Sequence, residues 1–326
     1  MSKIKAVTNE EWQLVNELNK QISESFLNQL HLSPHTLKQY ESAIKIFFRW
    51  VYSFQQNKPI YKLKPRHGLE YQNYLIKSGL ANGSVRFKRS VVSSLCNFVE
   101  TYYDDEDDFS TFRNIFNKQI PNVSNEKAKE KIPLTKAEYE LLCNELEKRE
   151  QWQMLAFLKF TFVTGCRKSE VHQLLKEVVE YEKVKDKEGN FKNFYMTHKI
   201  RAKGKGIEGK VRRLVFDDDS MSAIKKWLDV RGEDECPYVF VNKTQDGRVE
   251  QLSTATFNYW LSKTFSEIVG RHVWVHLLRS SRATILKVEE GKDIKEIQFL
   301  LGHNDPSTTQ IYIVEDDSDV IDGIFD

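Results

Sequence analysis

Cysteine is scarce, and what there is cannot pair locally. Cys96, Cys143, Cys166 and Cys236 are far apart with no CxxC spacing, which argues against both a zinc site and a disulfide framework. They read as thiols of a reducing compartment. Long apolar runs are missing too. No segment offers the roughly twenty apolar residues of a membrane span, and the start, MSKIKAVTNEEWQLV, has no apolar core of signal-peptide length. A cytoplasmic protein with no membrane association is expected. Neither sign of charge dominates: 49 Lys and Arg stand against 47 Asp and Glu, a formal net charge of +2, so the whole-chain balance does not announce a polyanionic partner. The acid is nevertheless segregated, in one run from Asp104 to Asp108 and in a tail holding Glu315, Asp316, Asp317, Asp319, Asp322 and Asp326. Both runs read as solvated loop and tail, and the rest of the chain is more basic than the total. There is no internal repeat and no low-complexity tract.

What is present suits two ordinary domains. The 326 residues are 40% apolar and 12% aromatic, enough to fill two cores. Up to about Tyr103 apolar residues recur at helical spacing, as in Leu37, Tyr40, Ile44, Phe47, Phe48 and Val51, or Val91, Leu95, Phe98 and Val99. Ser33 before Pro34 makes an N-cap with proline at the first helical position, and Asn82-Gly83-Ser84 breaks the chain before a second helix. An all-helical domain over 1–113 follows from this. The polar stretch 114–131 reads as a linker, and Thr135 with Glu138 forms a capping box that opens a second domain over 132–326. Between Val178 and Phe216 short strand-like runs, Val178 to Tyr181, Phe194 to Met196 and Val211 to Phe216, predict a small antiparallel sheet of about three strands. Helical patterns then resume, with turns at Gly232, Gly270 and Gly291. The fold class expected is mainly α.

Four segments of the second domain carry chemistry: Thr164-Gly165-Cys166-Arg167-Lys168-Ser169-Glu170, Gly204-Lys205-Gly206, His276-Leu277-Leu278-Arg279, and Leu300-Leu301-Gly302-His303 with Tyr312 nine residues later. Singly each is weak; Gly204-Lys205-Gly206 lacks the spacing of a P-loop. Together, two Arg, a Lys, two His and a Tyr form a kit for phosphoryl transfer without a metal. Arg forks can bind the non-bridging oxygens of a phosphodiester and stabilise the charge that develops there. A tyrosine hydroxyl, with a reference pKa of about 10, needs a base or a positive surrounding to act as a nucleophile. His276 and His303 can serve it, and a lysine on a turn can protonate the departing sugar oxygen.

These segments, in this order, resemble the tyrosine recombinase family of Cre, the Xer recombinases and phage integrases, and the resemblance covers nearly the whole chain. Ser33, Thr36, Tyr40, Phe47 and Trp50, and the run from Ser84 to Tyr102, resemble the family's core-binding domain. The resemblance implies that Tyr312 is the nucleophile, that Arg167 and Arg279 clamp the scissile phosphate, that His276 and His303 assist, that Lys205 is the general acid, and that Glu170 supports the site from behind. The stretch from Gly204 to Lys210 is longer than the family's turn, so Lys203 and Lys210 stay candidates for the acid. Ile313-Val314 replaces the common Thr-His pair after the tyrosine. Lys38, Lys45, Arg49, Arg86, Lys88 and Arg89 are candidate phosphate contacts of the first domain. The partners implied are double-stranded DNA with specific sites and three further copies, a homotetramer on two sites joined through a Holliday junction. No cofactor is implied, and the location is the nucleoid. Two rivals stay open: a type IB topoisomerase, and a catalytically silent DNA-binding protein of the same fold.

Overall fold

A computed structural model describes residues 4–28, 32–116, 120–124, 132–202, 209–302 and 313. These form two compact units, one built from residues up to 124 and the other from residue 132 on. None of the described helices is long and apolar enough to cross a membrane.

The first unit is all helical: α1 (Asn9–Gln13), α2 (Glu17–Leu27), α3 (Pro34–Phe54), α4 (Pro65–Lys77) and α5 (Asn82–Tyr102). α3 starts as its sequence dictates, with Pro34 in the first turn and the Ser33 hydroxyl accepting from the Thr36 N–H at 3.2 Å. Its apolar stripe, Ile44, Phe47, Phe48 and Val51, is buried with Val91, Leu95 and Val99 of α5 in one core. Each such side chain contributes roughly 1.5–3 kcal/mol through burial. Asn82, Gly83 and Ser84 do not break the chain before α5; they are its first turn, with Ala81 as N-cap. A helix leaves its first N–H groups without intrahelical partners, so small polar residues are tolerated there. Of the expected linker, Ile115, Phe116 and Ile120 belong to this core, and the Asn114 side-chain amide donates to Ser93 Oγ at 2.9 Å. Residues 117–119 and 125–131 lie outside the described residues. In the first acidic run the carboxylates are exposed, and Phe109 at its end anchors the loop against Tyr61, ring centroids 5.0 Å apart.

The second unit begins with α6 (Lys136–Lys148), capped by Thr135 and Glu138 as expected, then α7 (Trp152–Thr164) and the single turn α8 (Lys168–Val171). α7 buries eight residues between Leu155 and Thr164, and a helix apolar on every side must be surrounded. The single three-stranded sheet expected here is instead a set of two-stranded ones. β1 (Tyr195–Met196) pairs with β4 (Val215–Phe216), and β2 (Ile200–Ala202) with β3 (Lys210–Arg212), both antiparallel. The run at Val178 is a 3-10 turn over Lys176–Glu180 rather than a strand. Its neighbourhood finds partners elsewhere: the Lys176 N–H donates to Pro237 O at 2.7 Å and the Val239 N–H to Leu174 O at 2.8 Å. α9 (Asp218–Arg231) follows, then a hairpin of β5 (Val241–Lys243) and β6 (Val249–Gln251) with too few apolar residues to signal strands. α10 (Thr254–Trp260) widens through a π-turn into α11 (Ser266–Val269), and α12 (Val275–Thr284) and α13 (Ile294–Leu301) complete the described unit.

Arg231, at the end of α9, ties down the segment that leads to β5. Its buried guanidinium pairs with Asp234 and donates to Cys236 O at 2.9 Å and Val239 O at 3.3 Å. Removing one member of a buried pair orphans the other, at a cost of about 3–5 kcal/mol. Arg231→Met is therefore expected to lower unfolding stability by about that amount, read as a shift in urea midpoint at unchanged slope. Adding Asp234→Asn is expected to recover part of the loss.

Candidate active site

Four chain segments meet around three arginines. α7 ends at Gly165, whose φ of +55° is left-handed, and the chain turns directly to Arg167, the N-cap of α8. The Glu170 carboxylate reaches back to accept the Arg167 backbone N–H at 2.8 Å and its guanidinium at 3.2 Å. Its Oε2 also accepts from Arg212 on β3 at 2.8 Å. The other arm of Arg212 donates to Leu300 O at 2.7 Å. Next in sequence, Leu301 O accepts from Arg279 at 2.8 Å, and Arg279 returns to the starting point by donating to Gly165 O. The hydrogen bonds close a ring of Arg167, Glu170, Arg212, the end of α13, Arg279 and Gly165.

The two glycines follow from how tightly this ring is drawn. A Cβ on Gly165 would collide with Leu301 Cδ2, and one on Gly302, φ +68°, would stand 2.7 Å from the Arg212 guanidinium. Both are also helix C-caps, where a left-handed residue is needed. The sequence pattern around them thus has a steric origin.

Burial works against ionisation of Glu170, yet the Arg212 guanidinium, the Arg167 N–H and the Arg167 charge hold its carboxyl below the ordinary value of 4.5. A carboxylate depressed on folding adds stability above its unfolded pKa, and that stability is lost as pH falls through the lower folded value. The second unit is thus expected to weaken as pH drops below 4.5, and Glu170→Gln is expected to flatten this acid limb. Urea unfolding at several pH values measures both. At neutral pH the same substitution is expected to cost about 1–3 kcal/mol, because Arg212 loses its charged acceptor.

His276 lies in the first turn of α12, exposed, three residues before the buried Arg279 and so on the same helical face. Lys210 is exposed at the start of β3, opposite Ala202. Lys203, Lys205, His303 and Tyr312 lie outside the described residues. Arg212 was not singled out by the sequence, where it stands in a basic Val211-Arg212-Arg213 string. Of the three β3 residues Arg212 alone is partly buried, while Lys210 and Val211 are exposed. Among the described residues no cluster of three or more His, Cys, Asp or Glu could hold a metal.

In the first unit the candidate phosphate contacts divide. Lys45 pairs with Glu41 at 2.6 Å and lies over the Trp12 ring. Arg49 binds Glu11 at 3.1 Å and Lys5 O at 2.9 Å. Arg89 clamps Gln72 at 2.7 Å and Pro121 O at 2.8 Å. These three are engaged inside the unit. Lys38 and Lys88 line a groove of about 990 Å3 between α3 and α5, with His35, Ser42 and Ser84, and Arg86 is exposed nearby on α5.

A mostly helical unit that follows an all-helical one along the chain is a combination found in known proteins. Residues 133–319 match the phage integrase family, and residues 18–106 match the N-terminal SAM-like domain of phage integrases. The chain belongs to the phage integrase family, the tyrosine-type site-specific recombinases. It is 30% identical to the SPbeta prophage-derived recombinase-like protein YomM of Bacillus subtilis, over 94% of this chain and 90% of that one. To tyrosine recombinase XerA of Pyrococcus horikoshii it is 31% identical, over 90% and 89%. Two solved structures share the fold at 17% identity. One is XerH site-specific recombinase bound to a palindromic difH substrate, with a TM-score of 0.67 over 99% of this chain and 97% of that one. The other is the Tn1549 transposon integrase in complex with transposon right end DNA, with a TM-score of 0.66 over 92% and 95%.

Proposed function

We propose that the chain cuts and rejoins double-stranded DNA at specific sites through a covalent bond to Tyr312. The Tyr312 hydroxyl, its proton drawn off by a histidine of the site, attacks the scissile phosphorus. The bond from phosphorus to the 5′ oxygen breaks, and that oxygen leaves as a hydroxyl with a proton from Lys205, or from Lys203 or Lys210. A 3′-phosphotyrosine results. The 5′ hydroxyl of a partner strand then attacks this ester and expels Tyr312, which takes its proton back. The ester preserves the energy of the phosphodiester, so the exchange needs neither ATP nor metal. Arg167 and Arg279 clamp the phosphate, with His276 and His303 beside them. Lys38, Arg86 and Lys88 contact the backbone of the DNA; burial holds the Lys88 ammonium below its usual range, and a phosphate in the groove would favour the charged form. Four copies on two sites exchange strands in pairs through a Holliday junction, in the cytoplasm at the nucleoid.

The observation that carries this reading is the arginine ring. It holds two arginines at fixed distances from backbone carbonyls and one buried carboxylate, as an electrostatic clamp needs to be held before the reaction. The names of the relatives and the DNA-bound neighbours support it. The test is to incubate the protein with DNA of the organism that encodes it, denature, and sequence fragments that stay covalently attached. Attachment at discrete sites, with strand exchange between two duplexes carrying them, is expected. Attachment with relaxation of supercoils but no exchange would favour a type IB topoisomerase. Tight binding without attachment would favour a catalytically silent DNA-binding protein.

A further inference from the structure

We propose that Arg212 is a positioning residue of the strand-transfer reaction, bracing both phosphate-clamping arginines at once from behind. The inference rests on the function proposed above and adds to it a residue that takes no part in that scheme. Arg212 is linked to both arginines through shared partners. One arm holds Glu170 Oε2, while Glu170 Oε1 holds Arg167; the other arm holds Leu300 O, one residue from the carbonyl that holds Arg279. Its side chain is about nine-tenths buried, and Gly302 has no Cβ where Arg212 passes. A planar fork can satisfy a carboxylate and a carbonyl in two directions together, which a lysine ammonium at the end of a flexible stem cannot do with fixed geometry. Without Arg212, Glu170 is left with Arg167 alone and the end of α13 loses its tie to β3. The phosphate clamp is then present but loose, and misplacement of about 1 Å costs on the order of a hundredfold in rate.

The test uses full-length protein and a duplex carrying a recovered attachment site, with the scissile linkage either a natural phosphodiester or a methylphosphonate. The methyl group replaces one charged oxygen, so less charge develops for the arginines to neutralise. Arg212→Gln is expected to slow cleavage of the phosphodiester on the order of a hundredfold with DNA affinity nearly unchanged, and to slow cleavage of the methylphosphonate much less. Arg212→Lys, which keeps the charge beside Glu170, guards against simple unfolding: it is expected to melt cooperatively and to show the same substrate-dependent defect at smaller size. A defect equal on both substrates, or none, would overturn the proposal while leaving the recombinase reading intact. Amide exchange at Arg167 and Gly302 in the same proteins reads the bracing without any cleavage. Faster exchange at both, with α7 unchanged, is expected; unchanged exchange would overturn the bracing even if the wild type cuts no DNA.

Discussion

Tyr312→Phe is expected to abolish every covalent protein–DNA adduct while leaving DNA affinity within a factor of about ten. The second half follows from size. One neutral hydrogen bond contributes a net ~0.5–1.5 kcal/mol, so the loss of one hydroxyl cannot undo an interface whose affinity comes from many phosphate contacts. The first half follows from chemistry. Phenylalanine has no oxygen with which to form the ester, and no neighbouring tyrosine shares its interval from His303: the nearest in sequence on the N-terminal side is Tyr259. Denaturing gels with labelled DNA measure the adduct, and filter binding measures the affinity. Adducts that persist in the Phe variant would mean that another group is the nucleophile.

The site was more legible in the sequence than the sheets were, and for a physical reason. Gly165 and Gly302 are demanded by close approach, and Arg167, Glu170 and Arg279 by charge and hydrogen bonding, so each leaves a mark that survives reading one residue at a time. The helices of the first unit were legible for a similar reason, since Ile44, Phe47, Phe48 and Val51 all face one core. Strands of two or three residues leave no such mark. Val178 and Val179 look like a strand, but Val178 is buried in the core while Val179 packs against it half-buried, and backbone hydrogen bonds tie the neighbouring chain to a segment some sixty residues away. Ile115 and Phe116 were hidden in a polar stretch because two apolar residues have no period. The roles of Arg49 and Arg89 were hidden because their acceptors, Glu11 and Lys5 O for the one and Gln72 and Pro121 O for the other, are brought close only by folding. Arg212 is the same case inside the candidate site, where Glu170 and Leu300 O accept from it.

Arg279 is where structure and chemistry are hardest to separate, and its substitutions are expected to part the two. Its guanidinium is buried at 1% exposure and binds the carbonyls that end α7 and α13. Arg279→Met fills much of the same volume and leaves both carbonyls without this donor. A buried group left unsatisfied costs about 1–3 kcal/mol, so a loss of roughly 2–5 kcal/mol in stability is expected, together with a fall in cleavage of a thousandfold or so, the size of effect seen when a preorganised donor to a developing oxyanion is removed. Arg279→Lys keeps a positive charge but has one point of donation in place of a fork. It is expected to recover stability, because one carbonyl regains a donor, and to recover cleavage only slightly, because a lysine held by that carbonyl is not also aimed at the phosphate. Urea melts beside single-turnover cleavage distinguish the two effects. Should the lysine variant regain cleavage in proportion to stability, Arg279 would be a structural tie between two helix ends, and the phosphate clamp would rest on Arg167 alone.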